Sequence, residues 1–217
     1  MNKTIFSFCF LVLFSLTTFV SGQKNTDKYS TVKDTNALIT KINCATTSIQ
    51  STESDFTQEK YLSIMTDKVI SKGKLYYKAP NLVRWEYTQP YAYIIVFNNG
   101  KIFIKDDKKV KKFDASSNKN FSELNDNLTM IIQGKLFSQR KDFNYKYQES
   151  DKYYLVTLFP QGKKLKDLFS SILVYFNKND FSVYAIKLME DKKDYTLIRF
   201  SNRKNNVQLS NEKFSIN

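Results

Sequence analysis

From Asp34 to Gln50 apolar side chains recur at Leu38, Ile42, Ala45 and Ile49. This spacing of three and four predicts one amphipathic helix with its stripe turned inward. Cys44 lies within it, and a lone cysteine in such a segment is expected in the core. Residues 23–34 are polar and read as a frayed lead-in. After Thr52 the period drops to two, and short strands follow one another between turn signals: Asp55–Tyr61, Val69–Lys78, Leu82–Thr88, Tyr91–Phe97, Lys101–Lys105 and Val110–Phe113. In the second, Gly73, Leu75 and Tyr77 share a face opposite Lys72, Lys74 and Tyr76. In the third, Val83, Trp85 and Tyr87 oppose Arg84 and Glu86. Tyr91–Phe97 is apolar on both sides, and Asn98-Asn99-Gly100 is a hairpin signal. Pro80, Pro90 and Pro160 fall at strand boundaries or edges, where a missing N–H does least harm.

Between Ser116 and Gly134 the pattern is helical again, with Phe121, Leu124, Leu128, Ile131 and Ile132 in one stripe. Ser122 suits the start of that helix and Gly134 its end. Strands then resume at Phe143–Gln148, Tyr153–Phe159, Ser171–Asn177, Val183–Glu190 and Tyr195–Ser201, with a short one at Lys213–Ile216. Gly162, Asn179-Asp180 and Asn205-Asn206 mark turns. The expected fold is mainly β, with eleven or twelve antiparallel strands and two helices. A curved sheet of this size must close on itself or be covered to bury its inner face. Two helices too short for a second layer suit a partly closed barrel with a helical lid, and such barrels hold apolar ligands in the mouth.

The start of the chain changes the domain bounds. Lys3, the apolar run Ile5–Val20 and Val20-Ser21-Gly22 read as a removable export signal over residues 1–22. The run falls short of the ~20 residues that span a bilayer. Residues 23–217 remain as one domain. Cys9 leaves with the signal, so Cys44 has no partner for an internal disulfide.

Composition narrows the chemistry. The chain has no histidine, which removes Ser-His-Asp and Cys-His machinery, His-ligated zinc and facial-triad iron. Its glycines lie in no nucleotide-cradling spacing. Asp106-Asp107, Glu190-Asp191 and Glu86 read as surface charges rather than a paired-acid site. No catalytic residue, cofactor or metal is expected, and the chain is read as a binding protein rather than an enzyme. The net charge of +13 concentrates in Lys101, Lys105, Lys108, Lys109, Lys111 and Lys112, with a second cluster at Lys163, Lys164 and Lys166. Solvated hairpin edges that resist strand addition explain these lysines. Contact with anionic headgroups is the functional alternative. No nucleic-acid partner is expected, because no recognised binding motif is present.

Several stretches carry a resemblance. Ser54-Asp55-Phe56-Thr57-Gln58, Gly73-Lys74-Leu75-Tyr76-Tyr77-Lys78 and above all Pro80-Asn81-Leu82-Val83-Arg84-Trp85-Glu86-Tyr87-Thr88-Gln89-Pro90 resemble the LolA family of outer-membrane lipoprotein carriers. Asn99-Gly100-Lys101, Met130-Ile131-Ile132 and Tyr195-Thr196-Leu197-Ile198-Arg199-Phe200 fit the same plan, so the resemblance covers nearly all of residues 23–217. It implies an unclosed antiparallel barrel with a helical lid over a hydrophobic cavity. It also implies a periplasmic, monomeric carrier that takes acylated lipoproteins from an inner-membrane ABC-type lipoprotein-releasing complex to an outer-membrane acceptor. On this plan Phe56, Leu75, Tyr77, Val83, Trp85 and Tyr87 line the lipid-binding cavity, and Leu124, Leu128, Ile131 and Ile132 belong to the lid. The family's arginine directly before Pro-Asn, which hydrogen-bonds the lid and holds the empty form closed, is replaced here by Ala79. Lys78 and Arg84 have the wrong strand parity to stand in for it. That departure motivates a second expectation: a related binding module for a different amphiphile, such as a glycolipid or a lipid-linked product.

Overall fold

The computed structural model describes residues 28–106, 109–114, 130 and 142–216. Two runs of consecutive antiparallel strands make one twelve-stranded sheet. The first run is β2 (Ser51–Tyr61), β3 (Val69–Lys78), β4 (Leu82–Gln89), β5 (Tyr93–Asn98), β6 (Lys101–Asp106) and β7 (Lys109–Asp114). The second is β8 (Phe143–Glu149), β9 (Tyr153–Pro160), β10 (Ser171–Asn177), β11 (Val183–Met189) and β12 (Tyr195–Asn205). The runs join where β12 pairs with β2, and a two-residue strand, β1 (Ser30–Thr31), adds to β8. The edges are therefore β1 and β7, and the barrel is unclosed. One edge is very short and the other carries exposed Lys109, Lys111 and Lys112, both of which discourage further pairing.

Local chemistry explains the turns. Asn99 and Gly100 both take positive φ, 47° and 76°, which a two-residue type I′ hairpin requires, and Asn98 pairs directly with Lys101. Helix α1 (Thr35–Thr47) is capped by Asp34, whose carboxylate accepts from Ala37 N at 2.9 Å. It leaves the β1 edge and returns to β2 in the middle of the sheet. On the way it buries Leu38 and Ile42 in the same cluster as Trp85, Val156 and Val174.

The structure corrects several expectations. The buried stripe of α1 is Leu38, Ile42 and Thr46. Cys44 lies two positions from both Ile42 and Thr46, on the opposite side, and is exposed rather than in the core. Ile49 is buried but lies past the helix end. Residues 30–32 are not frayed, because they pair with β8 and bury Val32. A one-turn helix, α2 (Lys163–Lys166), follows the turn at Gly162. Lys213–Ile216 forms no strand; Asn211–Phe214 is a 3-10 turn. The helix expected over residues 116–134 lies outside the described residues except for Met130, which is helical and half-buried.

That C-terminal segment explains why β5 is apolar on both sides. Tyr93, Ile95 and Phe97 pack in the main cluster on the concave face, while Ile94 and Val96 face the other way. There Leu209, Phe214 and Ile216 cover Tyr76, Val96 and Phe103 as a strap over the convex face. Ser51 Oγ donates to Val207 O, Lys78 Nζ to Leu209 O at 2.8 Å, and Asn98 Nδ2 to Phe214 O at 3.1 Å, so the strap is pinned along its length.

Gly73 marks the closest approach within the sheet. A Cβ there would sit 2.1 Å from Glu86 O and 2.8 Å from Phe56 Cζ. The register shifts between Lys72 and Gly73, and Phe56, directly opposite on β2, lays its ring over the glycine.

Two stability outcomes are expected in denaturant titrations. Phe214→Ala empties a fully buried site and should lower stability by about 3–5 kcal/mol. Gly73→Ala forces a backbone shift and should lose at least ~2 kcal/mol. A loss below ~1 kcal/mol for Phe214→Ala would show that the strap is not part of the folded unit.

Candidate functional site

Alternation along the strands decides which side chains meet on the concave face. β2 contributes Phe56 and Gln58, β3 Ser71, Leu75 and Tyr77, and β4 Val83, Trp85 and Tyr87, all of them buried. The six residues expected to line a cavity are thus brought together, in one hydrophobic cluster. The Phe56 ring meets Trp85 edge-on at 5.1 Å and Tyr87 edge-on at 4.9 Å between centroids. Tyr87 stacks on Tyr93 at 4.1 Å. Trp85 reaches Phe200 of β12 at 6.3 Å, which ties the two runs of strands together.

Sequence reasoning named only one wall of this face. The other comes from Phe143, Tyr145 and Tyr147 of β8, Val156 and Leu158 of β9, Val174 and Phe176 of β10, and Ile198 and Phe200 of β12. Their period-two spacing was the available signal; what it lacks is any statement of which remote strand they face. Tyr145 and Tyr147 stack at 6.1 Å. Burial, together with the neighbouring Tyr145, pushes the Tyr147 phenol up to about 12, so it stays neutral on this wall.

The face is not uniformly apolar. Tyr87 Oη donates to Gln58 Oε1 at 2.9 Å within it. Farther along β2, Lys60 pairs with Glu190 and Thr196 Oγ1 donates to the same carboxylate oxygen at 3.3 Å. The concave face thus becomes polar toward the end where β2 finishes.

Of the expected lid, Leu124, Leu128, Ile131 and Ile132 lie outside the described residues. Met130, beside the last two in sequence, packs against the concave cluster. Ala79, at the position of the family arginine, also packs there, and its N–H donates to Gln50 O at 2.8 Å. Lys78 and Arg84 face the convex side: Lys78 holds the strap, while Arg84 pairs with Glu86 at 2.9 Å and donates to Lys213 O. The parity reading of these two cations therefore holds.

Among the described residues, clefts of about 430 and 550 Å³ lie on the convex face. The smaller is charged, lined by Glu53, Asp55, Lys74, Asn202, Arg203 and Lys204, and Lys74 bridges it to Asp55 at 2.8 Å. Hydrogen bonds from Lys74 and Asn202 hold the Asp55 carboxyl below its usual range. Among the described residues no group of acids and thiols is arranged to hold a metal ion, and no helix is long and apolar enough to cross a membrane.

Comparison with known proteins adds the family. No curated protein sequence matches the chain. Among solved structures, an uncharacterized conserved protein from Thermus thermophilus has the same fold, with a TM-score of 0.50 and 9% identity over 82% of this chain and 90% of that one. A LolA superfamily protein from Nitrosomonas europaea aligns with a TM-score of 0.44 and 10% identity, covering 83% and 96%. The lipoprotein LppX of Mycobacterium tuberculosis aligns with a TM-score of 0.46 and 12% identity, covering 82% and 100%. The sequence pattern described as "Outer membrane lipoprotein carrier protein LolA" matches residues 47–217, from the end of α1 through all the strands of the concave face to the convex strap, and the chain belongs to that family.

Proposed function

We propose that this protein is a periplasmic carrier that takes up the acyl chains of lipoproteins against its concave face and moves them from the inner to the outer membrane. The observation that carries this reading is the continuous apolar face around Phe56, Leu75, Tyr77, Val83, Trp85 and Tyr87, on a sheet that never closes. Membership of the LolA family supports it. An open barrel can part along its unpaired edges without breaking strand ladders. Each acyl methylene moved out of water contributes ~0.8 kcal/mol. The face is already covered, by α1 and, on this reading, by the stripe Leu124, Leu128, Ile131 and Ile132 next to Met130. Lifting a cover re-exposes its own apolar side chains, which offsets part of the acyl gain and keeps release possible. An inner-membrane ABC-type lipoprotein-releasing complex as donor, an outer-membrane acceptor and a monomeric state in transit complete the proposal. The work is binding and transfer, with no bond made or broken.

One observation favours a second reading. Lys78 and Arg84 both point to the convex side and Ala79 carries no donor side chain, so the arginine latch of the family has no substitute at these positions. A cover without that latch opens more readily and accepts a different amphiphile, such as a glycolipid or a lipid-linked product.

Trp85 is the only tryptophan, so its emission reports on the concave face without interference. Titration with a triacylated lipopeptide should shift the emission blue or quench it. An unchanged spectrum alongside binding measured by native mass spectrometry would place the ligand elsewhere. Ile132→Asp should reduce retention of the lipopeptide at least ~10-fold, and unchanged retention would remove the lid from the mechanism. Native mass spectrometry of the exported protein separates the two readings: a bound acylated polypeptide supports the first, a lipid alone the second.

A further inference from the structure

Gln58 sits in the middle of the apolar concave face, 4% exposed, and its carboxamide is half used. Oε1 accepts the Tyr87 hydroxyl at 2.9 Å, while Nε2, which carries two donors, meets no acceptor among the described residues. Ser71 lies directly opposite Gln58 on β3, on the same face, 7% exposed. Its hydroxyl likewise has no hydrogen-bond partner among the described residues. Cross-strand partners bring their Cβ atoms to ~5 Å, so the two side chains are neighbours on this face. Buried polar groups in folded proteins are almost always hydrogen-bonded. Two adjacent exceptions, walled by aromatic rings on one side and by the Lys60–Glu190 pair toward the rim, have the form of a station awaiting an acceptor.

We infer that Gln58 and Ser71 form a binding site for the carbonyl oxygen of an acyl ester. The Gln58 Nε2 amide and the Ser71 hydroxyl donate to that oxygen, and Tyr87 holds the carboxamide in orientation. An ester carbonyl is a neutral acceptor at the head of an acyl chain, which suits a site apolar on one side and polar on the other. The chain then runs from this point over Phe56 and Trp85, with the polar remainder toward Lys60 and Glu190. Anionic headgroups are a poorer match, because no unpaired cation faces the station among the described residues. This assignment rests on the carrier reading and names which part of the ligand the concave face recognises.

The test compares ester with ether. Binding of a dipalmitoylglyceryl-cysteine peptide and of its dihexadecyl ether counterpart, equal in length but lacking the carbonyls, is followed through Trp85 emission. The wild-type protein should bind the ester at least about 5-fold more tightly, the effect of one neutral hydrogen bond in a buried site, to which the second donor adds. Gln58→Met, close in shape, should remove most of that preference and leave the affinity of the ether unchanged. Ser71→Ala, a smaller change, should remove part of the preference and serves if Gln58→Met folds poorly. The same comparison with dipalmitoyl and dihexadecyl phosphatidylglycerol separates the sources. A preference confined to the peptide assigns the site to lipoprotein esters, and one shared by both pairs assigns it to acyl esters in general. Equal binding of ester and ether by the wild type, as when a bound water fills the station, overturns the site and leaves the carrier reading standing. Failure of every ligand to bind overturns the carrier reading and the site together.

Discussion

The pairing of β2 with β12 joins parts of the chain that are far apart in sequence: Ser54 Oγ donates to Ser201 O at 2.8 Å across 147 residues. Before it forms there are two separate runs of strands, each with an uncovered apolar face. Once it forms, Phe200 stands opposite Phe56 and Ile198 opposite Gln58, and the two faces become one. Because strand side chains alternate, a slip of one residue would turn Phe56 and Gln58 outward and bring Asp55 and Thr57 in. The register is therefore held by burial on one side and charge on the other. Glu59 illustrates the charged side: burial acts to raise its carboxyl, and hydrogen bonds from Lys68 and Tyr195 outweigh that and hold it below the usual range. Pairing of such remote segments closes a long loop before any contact rewards it, an entropic cost that local hairpins do not carry.

The sheet then needs a cover on each face, and the two covers are of different kinds. On the convex side the strap is fixed by directional bonds at Val207, Leu209, Lys213 and Phe214 in addition to its buried phenylalanine. On the concave side α1 presents Leu38 and Ile42, and among the described residues its side-chain hydrogen bonds stay within the helix or its cap. Apolar contact is non-directional and follows area. A surface held that way can be exchanged for another apolar surface of similar area, such as an acyl chain. One held by a row of hydrogen bonds cannot be exchanged without leaving donors and acceptors unpaired. On the carrier reading the fold thus separates a permanent cover from a replaceable one.

Local features were legible in the sequence and remote ones were not. Strands β3, β4 and β10 could be read almost to the residue, because alternation and turn chemistry act over a few positions. Asn99-Gly100 announced its hairpin for the same reason. The placement of Cys44 failed because the apolar stripe of α1 continues through Thr46, a polar residue whose hydroxyl bonds back to Ile42 O and so can be buried. Lys213–Ile216 failed because a short alternating stretch is compatible with a strap as well as a strand. The apolar outer side of β5 was visible, but the identity of its cover was not, since Phe214 lies more than a hundred positions away. Trp85 and its neighbours could be placed on a common face from parity alone. The wall opposite them depends on the β2–β12 pairing, which has no local signature.

Gln58 shows why a site of the proposed kind escapes pattern reading. In the sequence it is one polar residue in an alternating strand, on the side that parity assigns to the interior, where an apolar residue is the expected choice. A buried donor left unpaired costs roughly 1–3 kcal/mol, a loss that an acceptor on a bound ligand would remove. On the proposed reading the empty protein therefore carries an unmet donor at the point where the concave face turns from aromatic to polar. The cover proposed as replaceable acts in the same direction, since α1 occupies a surface that another apolar body could fill. Both features raise the free energy of the empty state relative to the filled one while adding nothing to the affinity of the covers themselves. On the carrier reading such a state favours uptake when an acyl chain is offered, and the apolar area of the displaced cover returns when the chain leaves.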